Sequence, residues 1–125
     1  MADKTYLVFG AVAMADLGQL ICVLAGPASA VDRVKPYCLN VMAKANIDLS
    51  GEPQGTATLL KIIGNTFVLA MVESLAEGHT LAQKSGLGSK NLHRFVETLF
   101  PGPYTAYSAR LMAGDYYKRD EVILR

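Results

Sequence analysis

Residues 55–78 read GTATLLKIIGNTFVLAMVESLAEG, and their pattern decides the fold. From Pro53 to Lys84 there is no interior proline and no alternation of apolar and polar residues. One long helix is predicted, with Gly86 placed to end it as a left-handed cap residue. On a helical wheel Leu59, Leu60, Ile62, Ile63, Phe67, Val68, Met71, Val72 and Leu75 cover most of the circumference. Fully burying each such side chain is worth roughly 1.5–3 kcal/mol, so leaving half of them wet costs many kcal/mol. A helix that is apolar all round lies inside something larger. Two following helices of ordinary length are too few to wrap it. The expectation is therefore a second domain or a second copy of the chain, with Phe67, Met71 and Leu75 among the residues buried between copies.

Working outward from that helix, Ser89 to Phe100 carries Leu92, Phe95, Val96 and Leu99 at i, i+3, i+4, i+7 spacing, which predicts a second helix. The Pro-Gly-Pro at 101–103 breaks it. Tyr104 to Ala113 reads as a third helix, stopped by Gly114. Before the long helix the chain alternates. TYLVFG is a short strand. QLICVLAG, closed by Gly26 and Pro27, suits a strand buried on both faces. PASAVDRVKPYCLNVM starts a helix at Pro27, where the missing N–H costs nothing, and Pro36 predicts a kink or restart late in it. KANIDLSG is a third strand, with Ala45, Ile47 and Leu49 on one face. The fold class is thus α+β tending to mainly α: a β-β-α-β portion, a long helix and two further helices. Residues 1–51 form one portion, 52–115 a helical portion and 116–125 a tail.

Composition narrows the function. The chain has 125 residues, 51% of them hydrophobic, and a formal charge of +1. Acids and bases are interspersed, without the basic arm or stripe that nucleic acid or anionic lipid requires. The N-terminus lacks the basic-then-apolar layout of a signal peptide. Lys61, Gly64, Asn65 and Glu73 interrupt Leu59–Leu75, leaving its unbroken apolar core short of the ~20 residues a bilayer requires. The expected setting is soluble and cytoplasmic. Cys22 and Cys38 read as small core residues in a reducing compartment. No metal site is expected, because His79 and His93 show no ligand spacing to either cysteine. The two histidines read as surface residues, as do Glu73 and Glu77, one turn apart on a helix edge. Tyr104 and Tyr107 read as packing residues, with a pocket lining as the alternative.

Lys61 and Asn65 place an ammonium and an amide near the start of the long helix, and at i and i+4 they share a face. Two readings stand side by side. In one, that face meets solvent and Lys61 is an ordinary lysine whose stem lies on apolar surface. In the other, it is a polar site at the mouth of a buried helix. A partly desolvated lysine exchanges a proton with a substrate oxygen, and the amide orients a carboxylate or holds the amine.

Gly55-x5-Lys61-x3-Asn65 at a long helix start resembles the hinge-helix motif of the β-hydroxyacid dehydrogenase family, which includes 3-hydroxyisobutyrate and 6-phosphogluconate dehydrogenases. VFGAVAMADLGQLICVLAG resembles the family's Gly-containing substrate loop and the strand after it. AVDRVKPYCLNVM resembles the following helix. SLAEGHTLAQKSGLGSKNL and ARLMAGDY are similar to two family helix endings. The resemblance runs from about Tyr6 to Tyr116. It implies Lys61 as proton donor and acceptor at the substrate hydroxyl, Asn65 as its neighbour on the substrate, and Phe9 and Gly10 in the loop that meets the substrate carboxylate. It implies NAD or NADP as the family's cofactor and a homodimer or higher homo-oligomer as the assembly.

The departures are specific. No GxGxxG is present, so the expectation is that this chain alone binds no cofactor. Phe9 stands where many relatives carry a serine, and Gly64 replaces the first Asn of a common Asn-Asn pair. The late Lys-Asp motif is missing. The resemblance thus implies a family member without its front and its last helices, inactive alone. Imine reductases are a neighbouring possibility, against which Lys61 argues. The reading from a different class is a non-catalytic helical dimerisation module derived from the same family.

Overall fold

The computed structural model describes the backbone of residues 6–9 and 12–114, and side chains from Met14 to Gly114. Gly10, the side chain of Phe9 and the 116–125 tail lie outside the described residues. The elements in order are β1 (Tyr6–Phe9), α1 (Val12–Asp16), β2 (Leu20–Gly26), α2 (Ala28–Val34), a 3₁₀ turn (Lys35–Tyr37), β3 (Ala43–Ser50), α3 (Gly55–Lys84), α4 (Ser89–Leu99) and α5 (Pro103–Ala113). The class is α+β leaning to α. The chain forms two compact units, one up to Gly64 and one from Asn65, and the division falls inside α3.

In the first unit, β2 is the centre of a three-stranded sheet ordered β1-β2-β3. It pairs antiparallel with β1, Phe9 opposite Ile21, and parallel with β3, Val23 opposite Ile47. The side-chain period of two sends its residues to two cores. Leu20, Cys22 and Leu24 join Val31, Cys38 and Ala43 on one side. Val23 and Ala25 join Ala57 on the other, with Leu49 and Leu60 packed against them. This is the strand buried on both faces that the apolar run between glycines predicts. Pro27 precedes α2 as its N-cap residue, and Pro36 opens the 3₁₀ turn where the helix restarts.

Two details of this unit differ from expectation. The stretch read as a loop into β2 contains α1, built from Ala and Met, which favour helix. Its end is fixed by Gly18 at φ +64, where an added Cβ would stand 3.2 Å from the Val41 carbonyl oxygen. The apolar face of β3 is also less buried than its alternation suggests. Leu49 is half-buried, but Ile47 and Ala45 are exposed, because nothing in the described residues covers that end of the face. Lys35 ties the 3₁₀ turn to β3 through Asp48, with Nζ 2.6 Å from Oδ2.

In the second unit, Met71 and Leu75 of α3 pack with Val96 of α4, flanked by Val72, Leu92, Tyr107 and Leu111. Met71 and Leu75 are therefore buried within the chain, which corrects their expected place between copies. Gly78 faces α4, where an added Cβ would stand 3.4 Å from the Leu92 side chain, an ordinary contact. Of the predicted α4 stripe, only Val96 is fully buried, while Phe95 and Leu99 are exposed. Gly86 sits at φ +80 just past α3. Gly114 caps α5 in the left-handed region and donates its N–H to the carbonyls of Arg110 and Leu111.

α3 itself runs 30 residues, about 45 Å at 1.5 Å per residue. Leu59, Ile62, Ile63, Phe67, Leu69 and Leu81 are exposed along it. By length and composition it meets the requirement for crossing a membrane, despite the interruptions noted in its sequence, and 11% of its most apolar window is buried in this chain.

Candidate active site

Lys61 lies on α3 in the first unit and is half-buried. One residue back, Leu60 faces the sheet, and with Gly64, Ile21, Val23 and Ile47 it lines an apolar cleft of about 210 Å³. Gly64, the residue that replaces an asparagine of the family pattern, thus borders a cleft without polar lining. A glycine inside a helix costs about 1 kcal/mol relative to alanine, so its presence goes with the open space beside it. Asn65 is exposed and lies four positions beyond Lys61 along the same uninterrupted helix. Helical periodicity alone keeps these two on one face. Phe9 ends β1 beside β2, and Gly10 follows it outside the described residues.

A dinucleotide would need a cradle of backbone N–H groups at a strand-to-helix turn. Among the described residues, the turns after the parallel strands β2 and β3 border an open cleft of about 400 Å³, lined by Gly26, Pro27, Gly51, Glu52, Pro53 and Gln54. Two of these residues are prolines without an N–H, and Glu52 brings a negative charge to the cleft lining. The residues present do not fit that group.

The other candidates resolve as follows. Cys22 and Cys38 are both fully buried, free thiols. Burial pushes the Cys22 thiol up to about 11, helped by a hydrogen bond to Cys38, so it is an inert core residue. Among the described residues, no group of three or more His, Cys, Asp or Glu is placed to hold a metal. Glu73 and Glu77 are exposed. Tyr104 stacks on Phe100 with centroids 5.3 Å apart, and Tyr107 packs in the helical core.

The histidines are the correction. They are not surface residues: His79 is 6% exposed and His93 half-buried. His79 Nε2 and His93 Nδ1 each stand 2.9 Å from the hydroxyl oxygen of fully buried Ser108. Burial, and then the nearby His93, hold the His79 imidazole below its ordinary value. The missed signal was spacing on α3: His79 follows Met71 and Leu75 at successive intervals of four, on the face that the core uses.

Comparison with known proteins places the fold. No family model matches the sequence. The structure superposes on 3-hydroxyisobutyrate dehydrogenase from Salmonella typhimurium with a TM-score of 0.73 and 23% identity, covering 90% of this chain and 39% of that one. It superposes on the Mycobacterium tuberculosis 3-hydroxyisobutyrate dehydrogenase, solved with L-serine, with a TM-score of 0.60 and 24% identity, over 80% of this chain and 33% of that one. In sequence it is 32% identical over 99 residues to the NADH-dependent oxidoreductase ucdB of Aspergillus ustus, covering 78% of this chain. It is also 32% identical over 91 residues to the uncharacterized oxidoreductase YfjR of Bacillus subtilis, covering 73% of this chain. The chain spans about a third of the length of these curated relatives, 32% and 31%. The resemblance to β-hydroxyacid dehydrogenases carried by the hinge-helix motif therefore holds in fold across most of the chain.

Proposed function

We propose that this chain, related to the β-hydroxyacid dehydrogenases by fold and to oxidoreductases by sequence, is the substrate-side and hinge-helix portion of an NAD(P)-dependent oxidoreductase. The substrate is a β-hydroxy acid or a related carbonyl compound. Lys61 gives and takes the proton at the substrate oxygen, Asn65 touches the substrate one turn further on, and Phe9 and Gly10 border its carboxylate. The observation that carries the reading is a half-buried lysine near the start of α3, in a chain whose fold matches a dehydrogenase at a TM-score of 0.73. A lysine ammonium in such a position can exchange a proton with a bound oxygen. The dinucleotide is held by residues other than those described, since the turns after β2 and β3 do not suit a pyrophosphate.

The same reading makes the protein soluble and cytoplasmic, with α3 covered by protein and not by lipid. The partner is a second copy of the chain, at least a dimer, with neither nucleic acid nor membrane involved. The exposed Leu59, Ile62, Phe67 and Leu69 support this, because apolar patches of that extent are rare on soluble monomers. A second reading, a dimerisation module without catalysis, draws on the same exposed helix and on the poor fit of a phosphate to the turns after β2 and β3 among the described residues. Titration calorimetry with NADH and NADPH tests the assignment of the cofactor to other residues. The chain alone binds neither more tightly than about millimolar, about −4 kcal/mol. Micromolar binding overturns that assignment.

A further inference from the structure

We propose that His79, Ser108 and His93 form a proton-counting clasp that joins α3, α4 and α5 and is complete only while both imidazoles are neutral. The geometry fixes the count. Ser108 Oγ carries one proton and meets two ring nitrogens at 2.9 Å. Among the described residues Ser108 Oγ has no third hydrogen-bond partner, so one nitrogen accepts the hydroxyl proton and the other donates an N–H. In the neutral clasp His79 Nε2–H donates to Ser108, and Ser108 O–H donates to His93 Nδ1. His79 Nδ1 is then a bare lone pair, which suits a buried atom without a partner among the described residues. His93 keeps its proton on Nε2.

Adding a proton to His93 at Nδ1 turns that nitrogen from acceptor into donor. Ser108 must then either accept two N–H bonds and strand its own proton, or turn its hydroxyl toward His79 Nε2. The second course moves the His79 proton from Nε2 to Nδ1, where no acceptor stands. Protonating His79 itself creates the same orphaned Nδ1–H and sets a charge against His93. Every acidified form thus leaves a buried donor unpaired, which folded proteins avoid. Among the described residues of the unit, no carboxylate is hydrogen-bonded to either ring. Glu73, Glu77 and Lys84 on α3, Lys90, Arg94 and Glu97 on α4, and Arg110 on α5 are exposed. The lowered His79 value has the matching sign. The clasp's contribution is full above the ordinary histidine value of 6.5 and is lost as pH falls through the lower folded value.

The test follows ring-nitrogen chemical shifts and denaturant unfolding of the whole chain from pH 8 to 5. On acidification, His79 changes from the Nε2–H to the Nδ1–H form. Ser108→Ala abolishes that coupling. His93→Asn, which keeps a hydrogen-bonding group near Nδ1 but does not titrate, holds His79 in one form throughout and covers the case in which Ser108→Ala fails to fold. His79→Gln, which retains a group near Nε2, removes up to about a ten-fold change in the unfolding constant per pH unit from the acid limb. A His79 ring whose tautomer ignores His93, or an acid limb equally steep in His79→Gln, overturns the clasp.

Discussion

Phe67→Ala tests whether a second copy covers α3. Phe67 is 73% exposed in the chain. Burying a whole phenylalanine is worth roughly 1.5–3 kcal/mol, so covering the exposed three-quarters contributes about 1–2 kcal/mol. In a two-fold dimer the same side chain counts once from each copy, giving about 2–4 kcal/mol. At 1.4 kcal/mol per ten-fold, the dimer dissociation constant rises about 30- to 1,000-fold. Leu17→Ala is the control. Leu17 is also 73% exposed but lies in the turn between α1 and β2, outside the helix under test. Sedimentation velocity over a dilution series from tens of micromolar to nanomolar reads both. Equal dissociation constants for the two variants refute the assignment of the interface to α3. A wild-type chain that is monomeric at tens of micromolar refutes the partner itself.

Three further outcomes follow from the packing. Leu24→Ala, at a fully buried site in the core shared by β2 and α2, lowers stability by about 2–5 kcal/mol in urea unfolding. Gly86→Ala, at φ +80 with nothing within 4 Å of the new Cβ, costs about 1 kcal/mol from backbone strain alone in the same assay. The Asp48 carboxylate is held down to about 2 by its hydrogen bond to Lys35 and then by Ser50. A depressed carboxylate stabilises the fold above its unfolded value near 3.8 and loses that contribution as pH falls toward 2. Lys35→Met therefore flattens the acid limb between about pH 4 and 2 in a circular-dichroism titration, and an unchanged limb speaks against the pair.

Much of the fold was legible from a few residues. The run LICVLAG between glycines announced a strand with both faces buried, because no alternation means no wet face. Pro27, Pro36 and Gly114 marked the breaks they were read to mark, each through a backbone restriction that local sequence carries. The motif Gly55-x5-Lys61-x3-Asn65 pointed to a dehydrogenase hinge helix, and the superposition on dehydrogenases agrees. What stayed hidden depended on tertiary partners. Met71 and Leu75 were assigned to another copy because sequence does not tell which apolar side of a helix its own chain covers. His79 was read as exposed because a histidine's burial rests on a partner, and Ser108 lies 29 residues away on another helix. α1 was missed because five residues give too short a window for a helical period.

The central claim is that Lys61 moves the proton at the substrate oxygen, and turnover is its most direct measure. The chain is joined to a dinucleotide-binding domain that supplies the nucleotide site, and the joined enzyme is assayed with NAD(P) and β-hydroxy acids. Lys61→Ala lowers kcat by roughly 100-fold or more, the scale expected for losing a general acid or base, while circular dichroism and Tm stay near wild type. A Lys61→Ala enzyme that keeps its full kcat contradicts the account.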